Sequence, residues 1–368
     1  MRQMNRTIAT CLGAGLLLLA GASRASAADL PKLQFSHGDW EIACDNTRTC
    51  RAAGYYIGRS GDDDSEPEPL AVSVLLTRKA GPNAPVQGEV QFGTYLDDET
   101  AKSLPKTLAP TMKINGKAYG KLMVPEEDWT VGLSPTQTAA LLAALTRVSK
   151  IEWTDGPRTW RLSDAGAAAV LLKMDEFQGR IGTPGAVMRK GTKPESSVLP
   201  ALPEPVVVVP ALDDRAISLP KERLAALRTA LQVDEETCTE TTDIEGRPGE
   251  ITVNRLSGGK LLASMPCWRA AYNEGYAYWV INANPPYAPQ LVTTAGSDYQ
   301  GGTIGGSHKG RGLGDCWSFE AWTWDGRRFV QTSEGDTGDC RLVAPGGAWS
   351  LPVLVTTVRG AGSIARPW

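Results

Sequence analysis

The chain has 368 residues, 42% of them hydrophobic, with 38 Lys and Arg against 41 Asp and Glu and a formal net charge of −3. That length exceeds what one apolar core normally serves and predicts two domains. A mildly acidic, mixed charge supplies no basic field for a phosphate backbone, which excludes nucleic acid as a partner.

The first predicted element is a leader. Arg2 and Arg6 precede an apolar run from Ile8 to Ala20, and small residues end in Ala25-Ser26-Ala27 and Ala28-Asp29. This order predicts a signal peptide over residues 1–28, cut after Ala27 or Ala28. The run is too short to span a bilayer comfortably, so no transmembrane segment is expected in the mature chain. The leader carries Arg2, Arg6 and Arg24 and no acid, so 35 basic and 41 acidic residues remain, a net charge of −6. Cys11 leaves with it, and Cys44, Cys50, Cys238, Cys267, Cys316 and Cys340 stay. An even count in an exported chain predicts disulfides and a periplasmic or secreted location. Cys44 and Cys50 pair across a short turn; nearest neighbours give Cys238–Cys267 and Cys316–Cys340, with the exact pairing of those four left open.

Residues 29–182 read as an α+β domain, an antiparallel sheet with two helices. Trp40, Ile42 and Cys44 alternate on one face of a first strand. Strands follow at Arg51 to Ile57, Leu70 to Thr77 and Val86 to Tyr95, with the acidic loop Asp62-Asp63-Asp64-Ser65-Glu66 between the first two of these. Asn115-Gly116 marks a tight hairpin, because both central residues need positive φ. Ser134-Pro135-Thr136-Gln137 is a capping box that opens a helix to about Lys150. A second helix starts near Ser163 or Asp164 and carries Ala167, Val170, Leu171, Met174 and Phe177 at helical spacing. Pro184, Pro194, Pro200, Pro203, Pro205 and Pro210 then mark a linker over 183–210, in which Val206 to Val209 can form an edge strand.

Residues 211–368 read as a mainly-β domain. After a helix from Pro220 to Leu231, strands are expected at Glu250 to Leu256, Leu261 to Ser264, Tyr276 to Asn282, Gln290 to Thr294, Asp315 to Trp324 and Arg327 to Thr332. Asp325-Gly326 is a hairpin signal, and an antiparallel meander, small barrel or sandwich is the natural architecture. Trp322 and Trp324 share a strand face and read as core.

Three segments carry a family resemblance. The Gly38-Asp39-Trp40 opening with Cys44 and Cys50, the stretch Met174-Asp175-Glu176-Phe177-Gln178-Gly179-Arg180, and Lys309-Gly310-Arg311-Gly312-Leu313-Gly314-Asp315-Cys316 with Trp324-Asp325-Gly326 resemble the domain of unknown function 1176 family, exported bacterial proteins with six cysteines. Trp317 stands where such proteins usually have glycine. Residues 33–182 are also similar to the invasion-associated locus B family. Neither resemblance supplies catalytic residues.

The residues themselves add little chemistry. No C-x-x-C, H-E-x-x-H, G-x-S-x-G or P-loop is present, and His37 and His308 are the two histidines. No metal or cofactor is therefore expected. His308, Lys309, Arg311 and Asp315, set among glycines that let a ligand approach the backbone, form the candidate ligand-binding site. The expectation is a non-catalytic binding or interaction module of the cell envelope, meeting an unknown protein or an envelope polymer. An envelope hydrolase with glycoside-type carboxylates is the alternative, and a thiol oxidoreductase a weaker one.

Overall fold

The computed structural model describes residues 31–56, 70–93, 107–125, 129–156, 158–234, 236–239 and 249–360. The predicted leader and the acidic loop at 62–66 lie outside the described residues. The first half builds β1 (Leu33–His37), β2 (Trp40–Cys44), β3 (Cys50–Tyr55), β4 (Val72–Arg78), β5 (Val86–Phe92), β6 (Thr111–Ile114), β7 (Lys117–Lys121) and β8 (Thr130–Gly132). Helix α1 (Pro135–Leu145), β9 (Ile151–Asp155), β10 (Arg158–Leu162) and α2 (Ala167–Phe177) complete it. Six strands pair in the order β1-β2-β3-β4-β5-β8, and four in the order β10-β9-β6-β7.

The pleat of β2 and β3 sorts their side chains to two faces. Trp40, Ile42, Cys44, Cys50 and Ala52 enter a core with Leu141 of α1, Val170, Leu171 and Met174 of α2, and Trp153 and Trp160. Ala43, Ala53 and Tyr55 face the other way and pack with Val343, Leu351 and Val353 from the far end of the chain. The capping box forms, with Ser134 and Gln137 bonding each other's backbone N–H. The helix stops at Leu145 rather than near Lys150. The Thr146 hydroxyl donates to Ala143 O, and Asp164 accepts the Ser149 N–H at 2.6 Å, which turns the chain into β9. Helix α2 likewise starts later than expected, because Ser163 and Ala165 are engaged by Trp40 and Asp39. Gly166 caps it at φ 97°, where a Cβ would lie 1.7 Å from the His37 carbonyl oxygen, so only glycine fits.

Much of the proline-rich stretch lies on this first half. Asp175 accepts the N–H groups of Val187 and Met188, and Leu199 N–H donates to Gln178 O. Beyond it come β11 (Val206–Val209), α3 (Lys221–Leu231), β12 (Thr252–Arg255), β13 (Lys260–Arg269), β14 (Glu274–Asn282), β15 (Gln290–Gly296) and β16 (Asp298–Gln300). They are followed by β17 (Thr303–Lys309), β18 (Trp317–Trp324), β19 (Phe329–Asp336), β20 (Leu351–Leu354) and β21 (Thr357–Gly360). β11 is an edge strand paired in parallel with β21.

Strands β12 to β15 form one antiparallel sheet and β16 to β20 another, each in sequence order. Leu261, Ala263, Met265 and Ile281 pack under α3 through Leu227 and Leu231. Leu262, Tyr278 and Val280, on the opposite face, meet Ile304, Trp322 and Trp324 of the second sheet. The fold is thus mostly β, with three α-helices and no closed barrel among the described residues, which cluster as one compact unit.

Candidate binding site

The four residues singled out in the sequence lie on β17 and the loop after it, and they are occupied within the protein. Arg311 grips Asp315 with both arms, Nε to Oδ1 at 2.8 Å and Nη2 to Oδ2 at 2.6 Å. The Leu342 N–H adds a third bond to the buried carboxylate at 2.7 Å, and Arg311 holds its pKa below the usual carboxylate range. Lys309 bonds the Asn273 amide through both backbone groups and sets its ammonium 5.5 Å from the Trp317 ring. His308 packs on Trp268 at 5.0 Å between ring centroids, and burial lowers its pKa. Asp315 lies within 4.8 Å of the sulfurs of Cys316 and Cys340, but these form a disulfide and cannot serve as thiolate ligands.

Disulfides also join Cys44 to Cys50 and Cys238 to Cys267, which are the nearest-neighbour pairs. All six cysteines of the predicted mature chain are consumed.

A cavity of about 580 Å³ opens on the other face of the same strand. Side chains alternate along β17, so His308 turns into the protein while Thr303, Gly305 and Ser307 turn outward from the aromatic face. Register places Thr303 opposite Thr323, Gly305 opposite Ala321 and Ser307 opposite Phe319, while Ala321 in turn faces Ser333. Asp298 and Gln300 of β16 pair with Gly305 and Thr303 on the same face. The sheet therefore has an aromatic side toward β12–β15 and, apart from Phe319, a side of hydroxyls and small residues toward the cavity.

Hydroxyls cross-link along that wall, Thr303 with Thr323 at 3.3 Å and Thr323 with Thr332 at 2.9 Å. Ser307 Oγ is buried without a hydrogen-bond partner. Gly305 leaves room for the Asp298 carboxylate, since a Cβ there would lie 2.5 Å from Oδ1. Arg51 enters from β3, held at 2.8 Å by the buried Asp45, and Ser350, Pro352, Val355, Thr356 and Val358 close the opposite wall. None of His308, Lys309, Arg311 and Asp315 lines this cavity.

Sequence alone does not single out these residues, because paired glycines in Thr303-Ile304-Gly305-Gly306-Ser307 are a weak strand signal. The usable signal was period two: Ile304 is apolar and buried while Thr303, Gly305 and Ser307 are small or hydroxylic.

No solved structure matches the chain. Uncharacterized protein YpfG of Escherichia coli (strain K12) is 26% identical over 328 residues, covering 80% of this chain and 85% of that protein. The model of the family described as Protein of unknown function (DUF1176) matches residues 34–356, nearly the whole described fold from β1 to Thr356, and the chain belongs to that family.

Proposed function

We propose that the protein is an exported, non-catalytic binding module of the cell envelope and that its cavity holds a saccharide unit. The observation that carries this is the cavity's chemistry. About 580 Å³ lies within the range of small-molecule sites, and one wall presents Ser307, Thr323, Thr332, Ser333 and Asp298 while Phe319, Pro352 and Val355 supply apolar surface. A sugar ring has that combination of hydroxyl rim and C–H face. Export is supported by the leader pattern and by three disulfides, which persist in oxidising compartments.

The geometry favours binding over hydrolysis. Glycoside chemistry requires two carboxylates flanking the scissile bond. Asp315 is locked by Arg311 away from the cavity. Asp298 and Glu320 both line the cavity, but the pleat puts Glu320 on the strand face of Trp322 and Trp324, opposite to that of Asp298, and Gln331 donates to it at 3.3 Å.

The test is saturation-transfer NMR with a panel of amino sugars and short envelope-glycan fragments. Wild type is expected to bind at least one, and Thr323→Val to bind it several-fold more weakly, the equivalent of one hydrogen bond or about 1 kcal/mol. Ser333→Phe, which fills the cavity, is expected to abolish binding. An inert wild type, or a Ser333→Phe protein that binds as well as wild type, overturns the saccharide reading.

A further inference from the structure

A second cavity, of about 460 Å³, lies between α1 and the folded-back segment that follows α2. Its charged lining is one-sided: Arg78, Arg147 and Lys190 contribute three cations, and among the described residues no acidic side chain lines it. The remainder is largely apolar, with Val86, Ala139, Leu142 and Val187.

The inner cation is unusual in its surroundings. Arg78 is 5% exposed; its Nε donates to Ala84 O at 3.0 Å and its Nη2 to Gly185 O at 2.8 Å. Its Nη1 has no hydrogen-bond partner and reaches only to 3.6 Å from Asp175. Asp175 spends its oxygens on the N–H groups of Val187 and Met188, and Glu195 binds those of Gly185 and Asn83. Both acids thus stand behind the cavity wall and hold the loop that shapes it. A second buried guanidinium, Arg180, sits nearby and its Nη1 is also without a hydrogen bond. Burial, then the charge of Arg180, lowers the pKa of Arg78 to about 10, against the opposing pull of Asp175 and Glu195.

We infer that this cavity binds an amphiphilic anion, a carboxylate or phosphate head group with an aliphatic tail. The head lies among Arg78, Arg147 and Lys190, and the tail lies along Val86, Leu142 and Val187. The nearby C-terminus of α1 carries only about half a negative charge, less than the three cations supply. Its last carbonyls are also answered, Ala143 O by the Thr146 hydroxyl and Ala144 O by the N–H of Arg147. Buried arginines with unfilled donors favour an acceptor whose oxygens carry charge, because such bonds are stronger than neutral ones.

Isothermal titration of the full protein with dodecanoate, dodecyl phosphate and neutral dodecanol tests this. Both anions are expected to bind, more weakly as salt rises, and dodecanol to bind at least roughly tenfold more weakly. Arg147→Glu with Lys190→Glu changes only exposed side chains, so the fold should survive, and it is expected to reduce anion affinity by about tenfold or more. Equal binding of dodecanol, or unchanged affinity in the double variant, overturns the inference. Binding to phosphatidylglycerol vesicles without binding of free dodecanoate also overturns it, since a basic surface rather than the cavity would then be the cause. Asp298→Asn, in the other cavity, is expected to leave these affinities unchanged, which separates this result from the fate of the saccharide reading.

Discussion

Glu41 lies where β2 meets the end of β19, and its surroundings disfavour the charged carboxylate. The Tyr55 hydroxyl donates to its Oε1 at 2.5 Å and the Asp339 N–H at 2.7 Å. Burial nevertheless dominates, with Asp339 and Asp336 adding repulsion, and pushes the pKa up from 4.5 to about 7. Arg341, 5.8 Å from the Tyr55 ring, is the neighbouring cation and is paired with Asp39. A carboxyl that binds its proton more tightly in the folded protein stabilises the fold at low pH. That contribution is complete below about 4.5 and is lost as pH rises towards 7. The loss is on the order of 3 kcal/mol at most. Glu41→Gln keeps an acceptor for both donors and removes the titration. Urea denaturation at pH 5 and pH 8 should show a smaller loss of stability in the variant than in wild type, and an equal loss would show that Asp336, also raised by burial, or another group carries the dependence.

Elements with strong local signals were readable, and those set by tertiary contacts were not. The capping box at Ser134 and the turn at Asn115-Gly116, with φ of 49° and 82°, follow from chemistry within four residues. Ser134→Ala is expected to lower the urea midpoint by the equivalent of about 1 kcal/mol with no change in slope. A change below a few tenths of a kcal/mol would mean that tertiary packing alone holds α1. The end of that helix is not legible in the local sequence because it depends on Asp164, 15 residues beyond the Ser149 N–H it accepts. β17 is illegible for a similar reason: two consecutive glycines have poor strand propensity, and pairing with β16 and β18 makes Thr303–Lys309 a strand. The candidate site suffered most. His308, Lys309, Arg311 and Asp315 were identifiable as a cluster, but sequence cannot show that Arg311 and Asp315 satisfy each other. The cavity lining, drawn from six strands of the second half and from Arg51 of β3, has no linear signature.

At the scale of the molecule, the proline-rich stretch separates two halves with their own cores, one around Trp40 and one around Leu227. The described contacts also join them. Asn46, buried in the turn between Cys44 and Cys50, exchanges two hydrogen bonds with Val355, Nδ2 to the carbonyl at 3.0 Å and Oδ1 from the N–H at 2.7 Å. The apolar cluster of Ala43, Ala53, Tyr55, Val343, Leu351 and Val353 spans the same junction, and Lys32 reaches Glu334 at 2.8 Å. An exposed ion pair contributes little, whereas two buried backbone groups left without partners cost a good deal more. Asn46→Ala should therefore destabilise the protein by roughly 2–4 kcal/mol. If the halves unfold together, the variant's whole calorimetric transition shifts downward as a single peak. If they are independent domains, the trace resolves into two transitions, and the junction contributes less than the buried Asn46–Val355 pair implies. The same junction forms one wall of the cavity proposed to bind a saccharide, through Arg51 and Val355, so Asn46→Ala should weaken any binding there while leaving the cavity beside α1 intact.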